Sequence, residues 1–492
     1  MSSSPQQAKV PVRQVSLIIS AQFCERFCYY SMKAILPLFL LNHLRYSEQE
    51  SKVIIHTYMM FVYFFPIIGS FLADNWFGKF NIIVYLSLLY SAGNFLLATA
   101  SGLSEIDLPK LLAQIALFMI AFAAGSIKPC SVAFGGDQYI VPEQELLLKR
   151  YFSIYYFMSS TASFSSTFLS PNLVKYVSCY GRDSCYPLAF GLSGVLMILS
   201  FILFFVGNRL YIHKRPVSGE NVIISVFRCI FNSIYNRITT TVRPKPSHFI
   251  DYADRDRFTE DFKSEVKAML KVLVIFIAYP IFWALFDQKA SSWIYLAKSM
   301  DRKVYDMEVL PEYMLLINSI LLVLCIPLFE MVIYPLFAKC NLLTKPLERM
   351  IWGAITLWLA FVAASIIFVY IEQGVQLHVL WLLPQYFFVT LAEVLFSVAG
   401  IEFAYTDAPE SMKSVIQAIW LLTSTVGNFV FIFITKTGLV RIGANESIFY
   451  TILMFFNIVL LVYLSNRYAK SKERAAQRYS AVAMEETALN NP

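Results

Sequence analysis

Long apolar runs of about twenty residues recur along this chain between charged stretches, and no other feature restricts its fold as much. A helix rising about 1.5 Å per residue needs such a run to cross a hydrocarbon layer of about 30 Å. Twelve runs can be marked, near 15–41, 53–73, 80–100, 111–133, 151–173, 188–211, 269–286, 313–337, 351–371, 377–403, 415–435 and 448–464. Barrel strands would be shorter and would alternate, so the runs predict helices. Charged residues make up 15% of the chain, against about 25% in soluble domains. Residues 1–10 are polar and the first run is too long for the core of a cleavable signal, so that run is expected to stay as an anchor. The fold class expected is an all-α integral membrane protein of two six-helix bundles.

The connections set the expected orientation. Lys79, Lys149, Arg150, Lys339, Lys345, Arg349 and Lys413 fall in alternate connections on one side, with the basic stretch 209–267 and the tail residues Arg467, Lys470, Lys472 and Arg474. By the positive-inside rule this side is cytoplasmic, with both termini inside. The net charge of +7 therefore belongs to loops facing a lipid bilayer and is not a nucleic-acid signal. Six runs, a linker and six more runs give the layout of a major facilitator transporter, whose substrate site lies near the midplane between halves. The divisions expected are 1–211, a linker 212–268, 269–466 and a tail 467–492. The linker opens with Gly219-Glu220, passes Arg243 and Lys245, and reads as partly helical and surface-lying. On the other side, Cys179 and Cys185 are spaced for a small loop disulfide, with two free thiols as the alternative. Asn445-Glu446-Ser447 forms a sequon on that side.

The first run contains Gln22, Glu25, Arg26, Tyr29 and Tyr30, linked by three- and four-residue steps that place them on one helix face. A charge inside a span costs roughly 2.5–3.5 kcal/mol on the insertion scale. These groups should therefore point into the bundle or a watery cavity. Arg26 offers a rigid donor fork suited to a carboxylate. Lys128, in the fourth run, is a second cation, and Glu393 sits deep in the tenth. Glu25 paired with Arg26 or Lys128 would equally serve as an internal ion pair that neutralises buried charge.

Gly69-Ser70-Phe71-Leu72-Ala73-Asp74 through Gly78-Lys79 resembles the facilitator-superfamily loop signature, in which small residues let helices approach and an acid and a base lock the cytoplasmic side. Longer matches narrow the family. Glu25-Arg26-Phe27 resembles the ExxER[FY] motif of the proton-coupled oligopeptide transporters. Gly125-Ser126-Ile127-Lys128-Pro129, with Phe134-Gly135-Gly136-Asp137-Gln138, is similar to their fourth-span signature. Phe282-Trp283-Ala284-Leu285-Phe286-Asp287-Gln288 resembles their animal-type seventh span. Pro384-Gln385-Tyr386-Phe387, Glu393-Val394-Leu395-Phe396-Ser397, Met412-Lys413-Ser414-Val415 and Trp420-Leu421-Leu422-Thr423 resemble spans ten and eleven. The matches cover nearly the whole chain in order. The bulky exterior domain that large animal members carry between spans nine and ten has no counterpart here.

The resemblance implies a peptide site and a set of roles. Arg26, Tyr29, Tyr30 and Lys128 would hold the peptide's carboxylate. Asn318 and Glu393 would meet its amino group, although Asn318 could also be a helix–helix hydrogen bond. Tyr63, Phe282, Trp283 and Trp420 would line side-chain pockets, and Tyr156, Ser160 and Ser397 lie in the matched motifs. Proton coupling and gating would fall to Glu25, His56 and Glu393, with Lys271 and Glu330 matching a family cation–carboxylate pair that gates the exterior. The alternative readings are a polar helix-end residue for His56 and a structural salt bridge for Lys271–Glu330.

Two departures stand out. Gln22 replaces the first acid of the motif, and an amide cannot lose a proton at working pH. In 155–163, Ser160 stands where the family places asparagine and Ala162 where it places glycine. No Walker loop, metal-ligand cluster or nucleophile–base set is placed by motif, so neither an enzyme nor a cofactor is expected. The function implied is import of di- and tripeptides by proton symport through alternating access, by a functional monomer in the plasma membrane. The alternatives are a facilitative or weakly coupled carrier of another small zwitterion or anion, such as an amino acid or nitrate, and a substrate sensor.

Overall fold

Each of the twelve apolar runs is a helix in the computed structural model, which describes residues 12–103, 105, 107–140, 143–214, 222–239, 246, 248–305, 307–340 and 342–489. Spans 1–6 are Val12–Leu38 with its continuation Phe39–His43, Glu48–Phe77, Lys79–Gly102, Asp107–Gly136, Glu145–Tyr176 and Tyr186–Arg209. Spans 7–12 are Glu260–Ser299, Tyr313–Ala338, Pro346–Glu372, Val379–Thr406, Lys413–Thr437 and Ala444–Leu489. Ten of these are long and apolar enough to cross a membrane by length and composition. Spans 1 and 5 are too polar for that measure because they bring Glu25, Arg26, Lys33, Ser159, Ser160 and Ser163 into the bundle.

Span ends alternate between two faces. The linker face carries the connection between spans 6 and 7; the other is the far face. Local chemistry fixes several ends. Span 2 starts at a capping box, in which Ser47 Oγ accepts from the Glu50 N–H and Glu50 returns a carboxylate oxygen to the Ser47 N–H. Span 11 stops at Gly438, whose φ of +63° suits a left-handed C-cap. On the far face Cys179 and Cys185 form the expected disulfide, and Asn445 is exposed.

Within the first half, span 3 packs on spans 4 and 6, and span 1 on spans 5 and 6. In the second, span 9 packs on spans 10 and 12, and span 7 on span 11. Across the halves, span 2 packs on span 11 and span 5 on span 8. Gly69 shows why the loop signature needs a small residue: a Cβ there would lie 2.5 Å from the Ser126 Cα of span 4. The charge lock of that signature is not the expected one. Lys79 pairs with Asp137 at 2.6 Å, and Lys214 joins the same carboxylate at 2.9 Å, because Asp137 folds back from the end of span 4.

The halves are bonded toward the far face. Lys52 reaches Glu446, Gln49 reaches the Thr435 carbonyl, Tyr295 the Pro37 carbonyl, Lys298 reaches Asn42 and Lys175 reaches Glu308. Below the cavity described next, no hydrogen bond joins spans 1–6 to spans 7–12 among the described residues.

Two boundaries differ from expectation. Span 7 does not stop at Phe286; it turns through the 3₁₀ segment Asp287–Ala290 and resumes as Ser292–Ser299. It also begins at Glu260, capped by Thr259, so its first turns lie inside the expected linker. The linker itself holds a helix, Val222–Thr239, that buries Val226, Cys229 and Ser233 and exposes Phe227, Phe231 and Ile238. Asn232 and Asn236 donate to the Asp254 carboxylate at 3.0 and 2.9 Å and hold it below the usual aspartate range. Residues 1–10, Gly219, Glu220, Arg243 and Lys245 lie outside the described residues.

Candidate functional site

A cavity of about 340 Å³ lies between the halves, within the range of roughly 300–1,000 Å³ usual for small-molecule sites. Its first-half wall comprises Tyr29, Tyr30, Tyr63, Lys128, Tyr156 and Ser160. The second-half wall comprises Trp283, Asn318, Glu393, Ser397 and Trp420. Every substrate-binding candidate except Arg26 is therefore brought together. Arg26 lies one layer behind. Its Nε is 2.5 Å from Glu25 Oε2, and its guanidinium sits 5.5 Å from the Tyr29 ring centroid. The neighbouring carboxylate draws the fork away from the cavity, so the internal ion pair is the arrangement realised here.

Glu25 is held by two donors at one carboxylate oxygen. Arg26 and Gln22 both donate to Oε2, Gln22 at 3.4 Å, while Ser131 donates to Gln22 Oε1 at 2.9 Å. Glu25 Oε1 is buried with no hydrogen-bond partner. Gln22 thus keeps its place in the polar cluster as a donor to Glu25. Lys128 has no carboxylate in salt-bridge contact among the described residues; its ammonium lies 5.6 Å from the Tyr63 ring centroid.

The opposite wall carries a pair that the sequence reading missed. Lys289 Nζ lies 2.8 Å from Glu393 Oε2, so Glu393 is not a lone carboxylate. Glu393 opens the π-helical segment Glu393–Val398, a widened turn of the kind frequent at functional sites. Lys289 comes from the 3₁₀ break in span 7. A span that ends at Phe286 places Lys289 in a loop; the apolar run Trp293–Ala297 beyond it is the sequence signal that the span continues. Lys33 also lines the cavity. Asn318 combines its two readings: it faces the cavity and donates to Thr390 Oγ1 at 2.8 Å. Trp283 donates to Thr423 Oγ1 at 3.1 Å and meets Trp420 edge to face, with centroids 5.9 Å apart. Phe282 stacks on Phe396 at 3.6 Å and is fully buried, so it is packing behind the wall.

Toward the far face, His56 is buried in a cross-half cluster. Its Nδ1 meets Asn428 Oδ1 at 2.7 Å, its Nε2 meets Ser291 Oγ at 3.0 Å, and its ring stacks on Phe431 at 3.7 Å. Asn428 donates in turn to Asp287 Oδ2 at 2.9 Å. The plain helix-end reading of His56 does not fit this burial. Lys271 and Glu330, by contrast, are not brought together. Lys271 lies early in span 7 and Glu330 near the end of span 8, so both sit in the linker-side part, exposed and without an ion pair between them. The far-face ion pairs between the halves are Lys52 with Glu446, at 2.8 Å, and Lys175 with Glu308, at 2.7 Å.

A POT family model (PTR2) matches residues 80–439. The chain belongs to the POT family. It is 39% identical over 363 residues to Peptide transporter family 1 of Drosophila melanogaster, covering 74% of this chain and 48% of that protein. It is 39% identical to Solute carrier family 15 member 2 of Homo sapiens over 73% of this chain and 49% of that one. The chain thus spans about half the length of the curated relatives it matches. The in meso crystal structure of the POT family transporter PepTSo matches with a TM-score of 0.83 and 27% identity, over 94% of this chain and 99% of that one. The expected membership and the two-bundle transporter fold are both shown, and this POT family chain is a multi-pass membrane protein.

Proposed function

We propose that this POT family chain carries di- and tripeptides across the membrane by alternating access, as a carrier and not an enzyme. The observation that carries this reading is the shared cavity, where a cationic first-half wall with Lys128 faces a second-half wall with Glu393. A small peptide's carboxylate suits the cationic wall, and its backbone and side chains suit the polar and aromatic groups opposite. The family relatives named as peptide transporters support the same substrate class.

The far-face bonds between halves support assignment of this conformation to the inward-open end of the cycle, with the linker face cytoplasmic by its basic residues. Proton coupling is assigned to Glu25, His56 and Glu393: His56 sits in a cluster shared by the two halves, while Glu25 and Glu393 sit in ion pairs that line up with the cavity from one half each. Lys271 and Glu330 are left to act, if they meet, in another conformation. A weakly coupled carrier is the second reading, and Gln22 favours it. A plasma-membrane location and a monomeric unit complete the proposal.

Uptake of radiolabelled dipeptide into proteoliposomes, with and without an inward acid gradient, tests it. Saturable uptake that rises with the gradient is expected. Uptake competed by dipeptides but indifferent to pH would leave the substrate and remove the proton. No competition by any peptide would end the peptide reading.

A further inference from the structure

The charges on the cavity wall do not balance. Lys33, Lys128 and Lys289 line it, and Glu393 is the one carboxylate among its described lining residues. Three positive groups less one negative leave the wall at +2 when all are ionised. Behind the wall Arg26 and Glu25 neutralise each other, and the buried carboxylate of Asp287, held by Asn428, lowers the excess to +1. Lys289 is also firmly held. Its side chain is 5% exposed, its ammonium lies 3.7 Å from the Phe286 ring centroid, and its backbone carbonyl accepts the Tyr386 hydroxyl at 3.0 Å.

Glu393 is therefore already occupied by an ammonium that belongs to the protein. An amino group arriving on a substrate would have to displace Lys289 and leave a buried cation unpaired, which is costly. A carboxylate arriving on a substrate meets Lys33 and Lys128, neither of which has a carboxylate in salt-bridge contact among the described residues, and it lowers the excess charge. Charge-assisted contacts to such lysines are among the stronger polar interactions.

We infer that the cavity selects peptides of net negative charge, carrying an acidic side chain or lacking a free amino group, and that Lys289 determines this by standing at Glu393 in place of the substrate's ammonium. The inference rests on the reading of this cavity as a peptide site. Lys289 acts here as a specificity-determining residue and not as a proton carrier.

The test is affinity of the purified full-length chain for four probes: alanyl-glutamate, alanyl-alanine, alanyl-lysine and N-acetyl-alanyl-alanine. Alanyl-glutamate should bind at least about tenfold more tightly than alanyl-alanine, which is about 1.4 kcal/mol. Alanyl-lysine should be weakest, and N-acetylation should not weaken binding. Lys289→Gln frees Glu393 and should raise affinity for alanyl-alanine relative to both anionic probes, closing most of that gap. Lys289→Arg keeps the charge and should keep the wild-type order, which a role in packing alone would not require. Equal wild-type affinities for alanyl-glutamate and alanyl-alanine, or loss of binding on N-acetylation, overturn the inference while leaving the peptide reading intact. Binding of none of the four overturns the peptide reading and the inference with it. The wild-type series decides the charge preference even if Lys289→Gln does not fold.

Discussion

Lys52 of span 2 is clamped between two carboxylates, 2.8 Å from Glu446 of span 12 and 2.8 Å from Glu48 in its own helix. Its side chain is 1% exposed, and Glu446 is nearly as enclosed. Removing one partner of a buried pair costs roughly 3–5 kcal/mol, because the other charge is left stranded. That cost falls on the conformation in which the far face is closed. Lys52→Ala should therefore shift the chain toward an open far face. Spin labels flanking the Gln49–Thr435 contact would read a longer distance in the variant. An unchanged distance distribution would remove the clamp from Lys52.

Asn428 is the hinge of the cluster above the cavity, touching His56 with one end of its amide and Asp287 with the other. Asn428 lies eight residues beyond Trp420 on span 11, about 12 Å along the helix axis, and is not among the residues that line the cavity. Asn428→Ala orphans two buried groups at about 1–3 kcal/mol each. Turnover should fall by about tenfold or more, while peptide affinity stays near the wild-type value. A variant that loses affinity and keeps turnover would place Asn428 in binding instead.

Much of this arrangement was legible beforehand, for reasons that differ by residue. Span positions follow from apolar length, which is a one-dimensional property. The face formed by Tyr29 and Tyr30 follows from helical periodicity, and both reach the cavity. Arg26 defeats that logic because periodicity fixes a direction for the Cβ and says nothing about where a long side chain bends; Glu25 bends it back. Lys289 was hidden by a break in span 7, since a 3₁₀ turn rich in polar residues reads as the end of a helix. Asn428 and Ser291 carry no signal of their own, because their importance lies in meeting His56 from two distant parts of the chain. The Lys271–Glu330 pairing came from resemblance alone, and this conformation does not make it.

Gln22→Glu would put a second carboxyl group beside Glu25, where Gln22 Nε2 now stands 3.4 Å from Glu25 Oε2. Two carboxyls at that range do not both ionise readily, so one holds a proton. The variant should concentrate peptide more strongly under an inward acid gradient than the wild type. Identical accumulation would mean that Gln22 does not limit coupling.

Glu312 closes the far-face end of the loop before span 8, beside a pocket that also holds Arg302 and Lys175. Burial pushes its carboxyl up to about 7, against the opposing pull of a backbone hydrogen bond, Arg302 and Lys175, and its Oε2 has no partner. Because its folded pKa lies above the ordinary value of 4.5, the neutral form is favoured on folding. Its contribution is complete below about 4.5 and is lost as pH rises toward 7, on the order of 3 kcal/mol in all. Thermal unfolding compared at pH 5 and pH 8 should show a drop for the wild type that Glu312→Gln reduces. Equal drops would show that the pH dependence originates elsewhere.

Gly400 and Gly427 should respond very differently to alanine. A Cβ at Gly400 would lie 1.9 Å from the outer edge of the Trp420 ring, which lines the cavity and packs against Phe276, Tyr279, Trp283 and Phe396. At Gly427 it would lie 2.4 Å from the Pro280 carbonyl and 3.0 Å from the Ala284 nitrogen, both backbone atoms of span 7. Overpacking costs typically about 1–3 kcal/mol, and more where backbone must move. Gly400→Ala should therefore weaken peptide affinity, because the Trp420 ring must shift at the cavity wall, along with some loss of melting temperature. Gly427→Ala should lower the melting temperature by several degrees, because spans 7 and 11 must separate. If the two variants changed places, Trp420 would be a packing residue, and the close approach of spans 7 and 11 would not limit stability.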